Sequence, residues 1–397
     1  MLGSVVDLIL LVLVVVFAIN GYRQGFVVGL LSIVGFFGGA LLGLQLGPLL
    51  ARNFTGDTVR VLVSLGSVFA LAAAGQALAG LLGSRLRSAI RNVNARRVDD
   101  IGGAVVSSVA VLFVVWLVAA PLASSSIPGL ARSVRNSAIL NAVDSVIPDQ
   151  ARALSQALRD TVDNRNFPDV FGGLSPTRVR EVPTPDPKLA GSPVVANAHQ
   201  SVVKVLGSAP SCSRHIEGTG FVYAQQHVMT NAHVVAGTKN PVTIEVNGRR
   251  LNGTVVVFDA HKDLAVIYVR DLPLDTQMLQ FSRSDAETGT DAIVLGYPLD
   301  GAYDAQSARI RDLRDISGPD IYESGKVTRE IYTIRGKVRS GNSGGPLVGS
   351  DGSVYGVIFA AAVDDEETGF ALSANEAAPV RDQGRTATAP VDTGPCT

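Results

Sequence analysis

The sequence predicts two unlike parts: an all-α bundle of four membrane-spanning helices, then an all-β domain of two small barrels. Three observations carry this reading. Of 397 residues, 47% are hydrophobic and only 17% charged, and the mean hydropathy is positive. That apolar excess lies almost wholly before residue 124. Beyond residue 200 the apolar residues come instead as short β-branched runs separated by Gly and Asn turns, the pattern of a β-sandwich or barrel. Lys plus Arg (34) nearly equals Asp plus Glu (35), which argues against a nucleic-acid binder with a broad basic surface.

The first part, residues 1–123, holds four apolar runs: Leu2–Ile19, Val27–Leu50, Val61–Gly83 and Gly103–Ala123. Each has roughly 18–24 residues, about what a helix needs to cross a ~30 Å hydrocarbon core. A cleaved signal peptide fits the first run poorly, because no basic segment precedes it and no small-residue cleavage site follows. Excess Arg marks the cytoplasmic side. The loops carrying Arg23 and Arg85, Arg87, Arg91, Arg96 and Arg97 therefore face inward, whereas the second loop holds only Arg52 and Arg60, offset by Asp57. Both ends of the bundle then lie outside the inner membrane, and all that follows is extracytoplasmic. Small residues crowd the second and third runs (Gly35, Gly39, Gly43, then Gly66, Ala73, Gly80), which lets helix backbones approach closely in lipid. A transport pathway needs ionisable groups inside the bundle. Here Asp7 sits near an end, and Gln45 and Gln76 are the other polar candidates. GYRQGF (Gly21–Phe26) followed by glycine-rich helices resembles the colicin V production family of membrane proteins.

Residues 124–197 read as a connector. Ile139, Leu140, Val143 and Ile147 form one apolar stripe and Leu154, Leu158 and Val162 another, predicting two short amphipathic helices. The proline-rich Val182–Pro193 predicts an extended, semi-rigid spacer with exposed backbone open to proteolysis.

Residues 198–397 form the β domain. Three local sequences stand out in it: TNAHVV with His233, HKDLAVIYV with Asp263, and GNSGGP with Ser343. Singly, each has a plain explanation as a surface histidine, a turn aspartate or a glycine loop. Jointly they run His, Asp, Ser at separations of 30 and 80 residues, one of the known chain orders of a serine–histidine–aspartate triad. A serine hydroxyl needs an adjacent base to act as a nucleophile. His233 is suited to take its proton, and Asp263 to hold the imidazole tautomer and stabilise its charged form. Gly341, Asn342 and Ser343 would form an oxyanion site, with the N–H groups of Gly341 and Ser343 as donors.

Together TNAHVV, DLAVI and GNSGGP resemble trypsin-like serine proteases of the chymotrypsin fold, nearest to the Deg/HtrA branch. GTGFV (Gly218–Val222) and GFAL (Gly369–Leu372) match strands of that branch, but the chain ends too soon for its usual PDZ module. The resemblance implies a double β-barrel endopeptidase needing neither cofactor nor metal, acting on proteins or peptides of the cell envelope. Joined to colicin V production-like helices, it resembles mycobacterial membrane proteases of acid resistance, implying a role in acid and oxidative stress. The rival reading is a sensor or scaffold that binds peptides without cutting them. The oligomeric state stays open.

The resemblance also places Lys337, six residues before the serine, at the base of the specificity pocket. There it either selects acidic side chains or turns out to solvent. Phe359 and Ala360 would form a pocket wall. Cys212 and Cys396 are the only cysteines; outside the cytoplasm they are expected to form a disulfide that ties the polar tail to the first barrel.

Overall fold

The computed structural model describes residues 2–51, 57–123, 128–148, 177, 179–212 and 214–397. The chain divides into two units. The first comprises residues up to Pro121 together with a segment from Asn136, and the second comprises Leu122–Arg135 and the C-terminal portion.

In the first unit, α1 (Leu2–Gln24), α2 (Phe26–Ala51), α3 (Asp57–Ser88) and α4 (Val93–Ala123) follow in order. Each contains a stretch long and apolar enough to cross a membrane. Glycine explains the pairing of α2 with α3. A Cβ on Gly35 would lie 2.3 Å from the Gly75 carbonyl oxygen, and one on Gly75 would lie 2.2 Å from that of Gly35. Gly21 and Gly103 do the same between α1 and α4. The turn at Gly25 has φ 82° and closes on a charged knot. Arg87 Nε lies 2.9 Å from Asp99, and Asp99 accepts the Val27 amide at 2.9 Å. The GYRQGF motif therefore ends α1 and starts α2, with Gly25 alone between them. The first connector stripe is α6 (Ala138–Val146), capped by Ser137, with Leu140 buried. Asp7 accepts from the Ser137 hydroxyl at 2.5 Å, and Trp116 donates to Asp144 at 2.9 Å. This helix thus belongs with the bundle, beyond the boundary expected at residue 123. The second stripe, Leu154–Val162, lies outside the described residues.

In the second unit, α5 (Pro128–Arg135) docks through Arg132, which donates to the Asp364 carbonyl at 2.8 Å. The proline-rich segment does not behave as a free spacer. Arg335 donates to the Val182 carbonyl (2.8 Å), Arg311 to that of Arg180 (2.9 Å), and Tyr303 to that of Val195 (3.0 Å). Its prolines start a 3₁₀ turn (Pro187–Gly191) and a short helix (Pro193–Ala198), because a missing N–H costs nothing at a helix start. The folded second unit therefore begins well before residue 198.

Twelve strands follow among the described residues: β1 (Val202–Ala209), β2 (Arg214–Ala224), β3 (His227–Thr230), β4 (Val242–Val246), β5 (Arg249–Asp259), β6 (Leu264–Tyr268), β7 (Asp291–Gly296), β8 (Asp304–Pro319), β9 (Lys326–Arg335), β10 (Pro346–Gly349), β11 (Val354–Ala361) and β12 (Thr368–Ser373). They close into two six-stranded barrels, ordered β1-β2-β3-β6-β5-β4 and β10-β11-β12-β9-β8-β7. Period-2 alternation sorts the side chains. On β6, Ala265 and Ile267 fill the first barrel, while Leu264 and Val266 join a separate cluster with Phe221, Leu295, Phe359 and Phe370 from both barrels. Both faces of the strand are buried, which fixes its register. A terminal helix, Ala374–Gly384, leads to a tail that returns to the first barrel, where the Val391 amide reaches the Val255 carbonyl at 3.0 Å.

Candidate active site

The first barrel supplies His233 and Asp263. His233 lies in the turn after β3, and Asp263 opens β6, the strand paired with β3. That pairing brings together residues thirty apart in sequence. His233 Nδ1 is 2.9 and 2.8 Å from the two Asp263 carboxylate oxygens, and the His233 amide donates to Oδ1 at 2.9 Å. A carboxylate only accepts, so Nδ1 carries the proton and Nε2 is left as the acceptor nitrogen. Asp263 is fully buried and left-handed at φ 55°. Two residues hold it there. Asn231 donates to its carbonyl at 2.7 Å, and Arg329 Nε donates to the carbonyl of His261 at 2.7 Å. Burial pushes the Arg329 guanidinium below its ordinary range, and the charge of Asp263 heads the nearby carboxylates that offset this.

Ser343 comes from the second barrel, on the loop between β9 and β10. Gly341 (φ 92°) and Gly344 (φ 83°) shape that loop. A Cβ on Gly344 would sit 2.1 Å from the Thr219 carbonyl oxygen, so neither conformation nor space admits a side chain. Thr219, from the GTGF sequence on β2, fastens the loop across the barrels. Its amide donates to the Ser343 carbonyl at 2.8 Å and its hydroxyl to the Gly341 carbonyl at 2.6 Å. Ser343 Oγ and His233 Nε2 are both buried with no hydrogen-bond partner among the described residues. Such orphans are costly in a folded core and here fall on the two atoms that a proton transfer would use.

Of the three residues expected at the oxyanion site, Asn342 is corrected. Its amide donates to the Arg339 carbonyl at 3.0 Å and so is already spent. The amides of Gly341 and Ser343 make no backbone bond among the described residues.

Lys337 is exposed, and its neighbour Val338 turns inward, where a Cβ on Gly369 would lie 2.4 Å from it. Phe359 and Ala360 are both fully buried in the cluster between the barrels. A register shift between Ile358 and Ala360 makes Phe359 a bulge residue, which sends two successive side chains into one layer. Thr219, Asn231 and Arg329 escaped the sequence reading. For Thr219 and Asn231 a signal existed, in the GTGFV and TNAHVV matches.

Known proteins share both parts of the chain. A colicin V production protein model matches residues 6–148, and a trypsin-like peptidase domain model matches residues 218–357. The serine protease Rv3671c of Mycobacterium tuberculosis is 40% identical over 396 residues, covering 98% of each chain. The Do-like serine protease HtrA of Lactobacillus helveticus is 32% identical over 146 residues, 36% of this chain and 35% of its own. The crystal structure of the M. tuberculosis Rv3671c protease in its active form is 48% identical, with a TM-score of 0.54, over 57% of this chain and 99% of that one. The chain belongs to the Rv3671c family of serine proteases, in which a colicin V production domain precedes a trypsin-like peptidase domain.

Proposed function

We propose that this serine protease cuts peptide bonds through Ser343 as nucleophile, His233 as general base and Asp263 as the residue that orients the imidazole. The observation that carries the reading is the His233–Asp263 contact, which leaves Nε2 as an acceptor buried in the same domain as the unpartnered Ser343 hydroxyl. His233 takes the hydroxyl proton as Oγ attacks the substrate carbonyl, then returns it to the leaving amine. The amides of Gly341 and Ser343 receive the oxyanion, at about 3–4 kcal/mol per donor on the usual mutational scale. The test is hydrolysis and acyl-serine labelling by the full-length protein and by Ser343→Ala, between about pH 5 and 8. Equal rates from the two proteins would sink the assignment.

The protease unit works on the extracytoplasmic side of the inner membrane, serving acid and oxidative stress resistance. Support comes from the Arg-rich loops and from four helices of membrane-spanning length. Protease protection of the C-terminal unit in intact cells checks the side. A fitness defect of the Ser343→Ala strain in acid or peroxide checks the role. A disulfide between Cys212 and Cys396 fits this compartment, and among the described residues no cysteine is free. Non-reducing peptide mapping decides the pairing. Self-cleavage would fall ahead of Arg180, because the chain from Arg180 onward is docked on the second barrel. A fragment made by wild type but not by Ser343→Ala, with its new N-terminus sequenced, settles the position.

A further inference from the structure

The loop after β7, Tyr297–Gly301, packs on the oxyanion loop in a way that the triad does not use. Leu299 and Asp300 are both left-handed, at φ 56° and 55°, a conformation that non-glycine residues keep only when their surroundings over-determine it. Leu299 is 65% exposed, so burying its side chain does not stabilise the turn. Polar ties hold it instead. The Tyr297 amide donates to Thr219 Oγ1 at 3.0 Å, and the Leu299 amide donates to the Ser340 carbonyl at 2.8 Å. Lys204 Nζ donates to the Asp300 carbonyl at 2.9 Å and to its carboxylate at 2.7 Å. Lys204 belongs to β1 of the first barrel and is only 8% exposed. A lysine so buried is costly unless its charge is paired, and both oxygens that receive it belong to Asp300.

The tie to Ser340 reaches the chemistry directly. A Cβ on Gly341 would lie 2.4 Å from the Tyr297 carbonyl oxygen and 3.1 Å from the Leu299 nitrogen. The two loops are in backbone contact, so the course of one sets the direction of the Gly341 N–H.

We propose that Lys204 is a positioning residue for peptide hydrolysis, clasping Asp300 from the opposite barrel so that the Tyr297–Gly301 turn holds Ser340 and Gly341 in place. This rests on the reading of Gly341 and Ser343 as oxyanion donors. Glu217, on β2, gives the clasp a pH response, because its carboxyl is hydrogen-bonded to that of Asp300. Burial first, then the Asp300 charge, pushes Glu217 above its ordinary range. The Lys204 hydrogen bond, chiefly, holds Asp300 below its own. The other charged or titratable groups around the cluster are Glu245 on β4, opposite Lys204, Arg250 on β5, and Tyr297.

Between those two ranges the pair carries one proton, on Glu217. Its O–H donates to the Asp300 carboxylate, which stays anionic for Lys204. A raised carboxyl penalises the folded clasp increasingly as the pH rises from its ordinary range, and in full above its folded range. The clasp therefore tightens as the pH falls into mild acid, and it weakens again once Asp300 itself is protonated.

The test uses the full-length protein in detergent, with Lys204→Met, Asp300→Asn and Glu217→Gln, and Ser343→Ala as the blank. Turnover of a peptide from about pH 5 to 8 is measured beside hydrogen exchange over residues 297–301 and 340–342. Lys204→Met is expected to lose exchange protection in both segments and to lower kcat about tenfold or more, with KM within twofold of wild type. Asp300→Asn keeps the carbonyl contact and should lose only about threefold, as suits an exposed carboxylate. Glu217→Gln mimics the protonated carboxyl, so it should raise kcat at neutral pH and flatten the gain seen in acid. If Lys204→Met is too unstable to read, Asp300→Asn and Glu217→Gln decide the matter, since neither removes a buried charge. Unchanged protection and unchanged kcat in the variants would overturn the proposal, as would lost protection with wild-type turnover. A wild-type protein that neither turns over nor labels sinks the oxyanion reading and the proposal with it. Exchange, which is read without catalysis, tells that result from a failed clasp.

Discussion

On the first barrel, His233 and Asp263 meet through side-chain hydrogen bonds, and Asp263 is further secured by Asn231 and by the Arg329–His261 tie. On the second barrel, Ser343 rides a loop held almost entirely through its backbone, by Thr219 from across the interface and by the Gly344 amide, which reaches the Ile358 carbonyl at 2.8 Å. Among the described residues the first half has its polar groups spent, apart from His233 Nε2 and Asn231 Oδ1. The second keeps Oγ and two amides unspent. Stiffness therefore comes chiefly from side-chain contacts where the proposed mechanism holds a proton, and from glycine-shaped backbone where it receives charge. A loop held by its own side chains would have fewer groups free for substrate.

The contrast predicts different failures on the two sides. Asp263→Asn should hurt most: an amide can donate to Nδ1 and reverse the tautomer, which lowers kcat by about 10⁴-fold where that exchange has been made in a triad. Retained folding by circular dichroism should accompany the loss. Gly344→Ala comes next. Its φ of 83° and the 2.1 Å approach to the Thr219 carbonyl should cost at least the roughly 1–2 kcal/mol of a left-handed residue. The melting temperature should fall along with the activity. Thr219→Val removes the hydroxyl that joins Gly341 to Tyr297 at nearly constant volume. It leaves a buried carbonyl and amide short of a partner, at about 1–3 kcal/mol, read as a kcat loss of about ten- to a hundredfold with KM little changed. Gly75→Leu should do least to hydrolysis. It forces α2 from α3 and should lower the detergent melting temperature of the bundle, while kcat stays within twofold. A large kcat loss there would mean that the bundle governs the protease rather than only carrying it.

Much of this site was legible in the sequence. The order of His233, Asp263 and Ser343, and the glycines that flank the serine, are local features with local causes. The four apolar runs, α6 and the β-branched strands were readable because hydropathy and side-chain alternation follow directly from helix and strand periods. What escaped depends on partners far away in the chain. Thr219 serves a loop more than a hundred residues later, and Lys204 serves Asp300. The surroundings of the expected pocket residues escaped for the same reason. Lys337 and Val338, in the loop after β9, are exposed and buried respectively, and the bulge at Phe359 depends on the pairing of β11 with β12. The proline-rich Val182–Pro193 reads as a spacer until Arg335 and Arg311 of the second barrel supply donors for its carbonyls.

By itself, then, the sequence determined an apolar four-helix part, a β-rich part and the order of the three residues proposed for the chemistry. Each is set by interactions within a few residues: hydropathy along a helix, alternation along a strand, glycine freedom in a turn. Only the tertiary structure decided which amides remain unspent, which tautomer His233 presents, and which residues of one barrel hold the loops of the other. Those are questions of hydrogen-bond pairing across the fold, where a buried donor or acceptor must find its partner wherever the chain brings it.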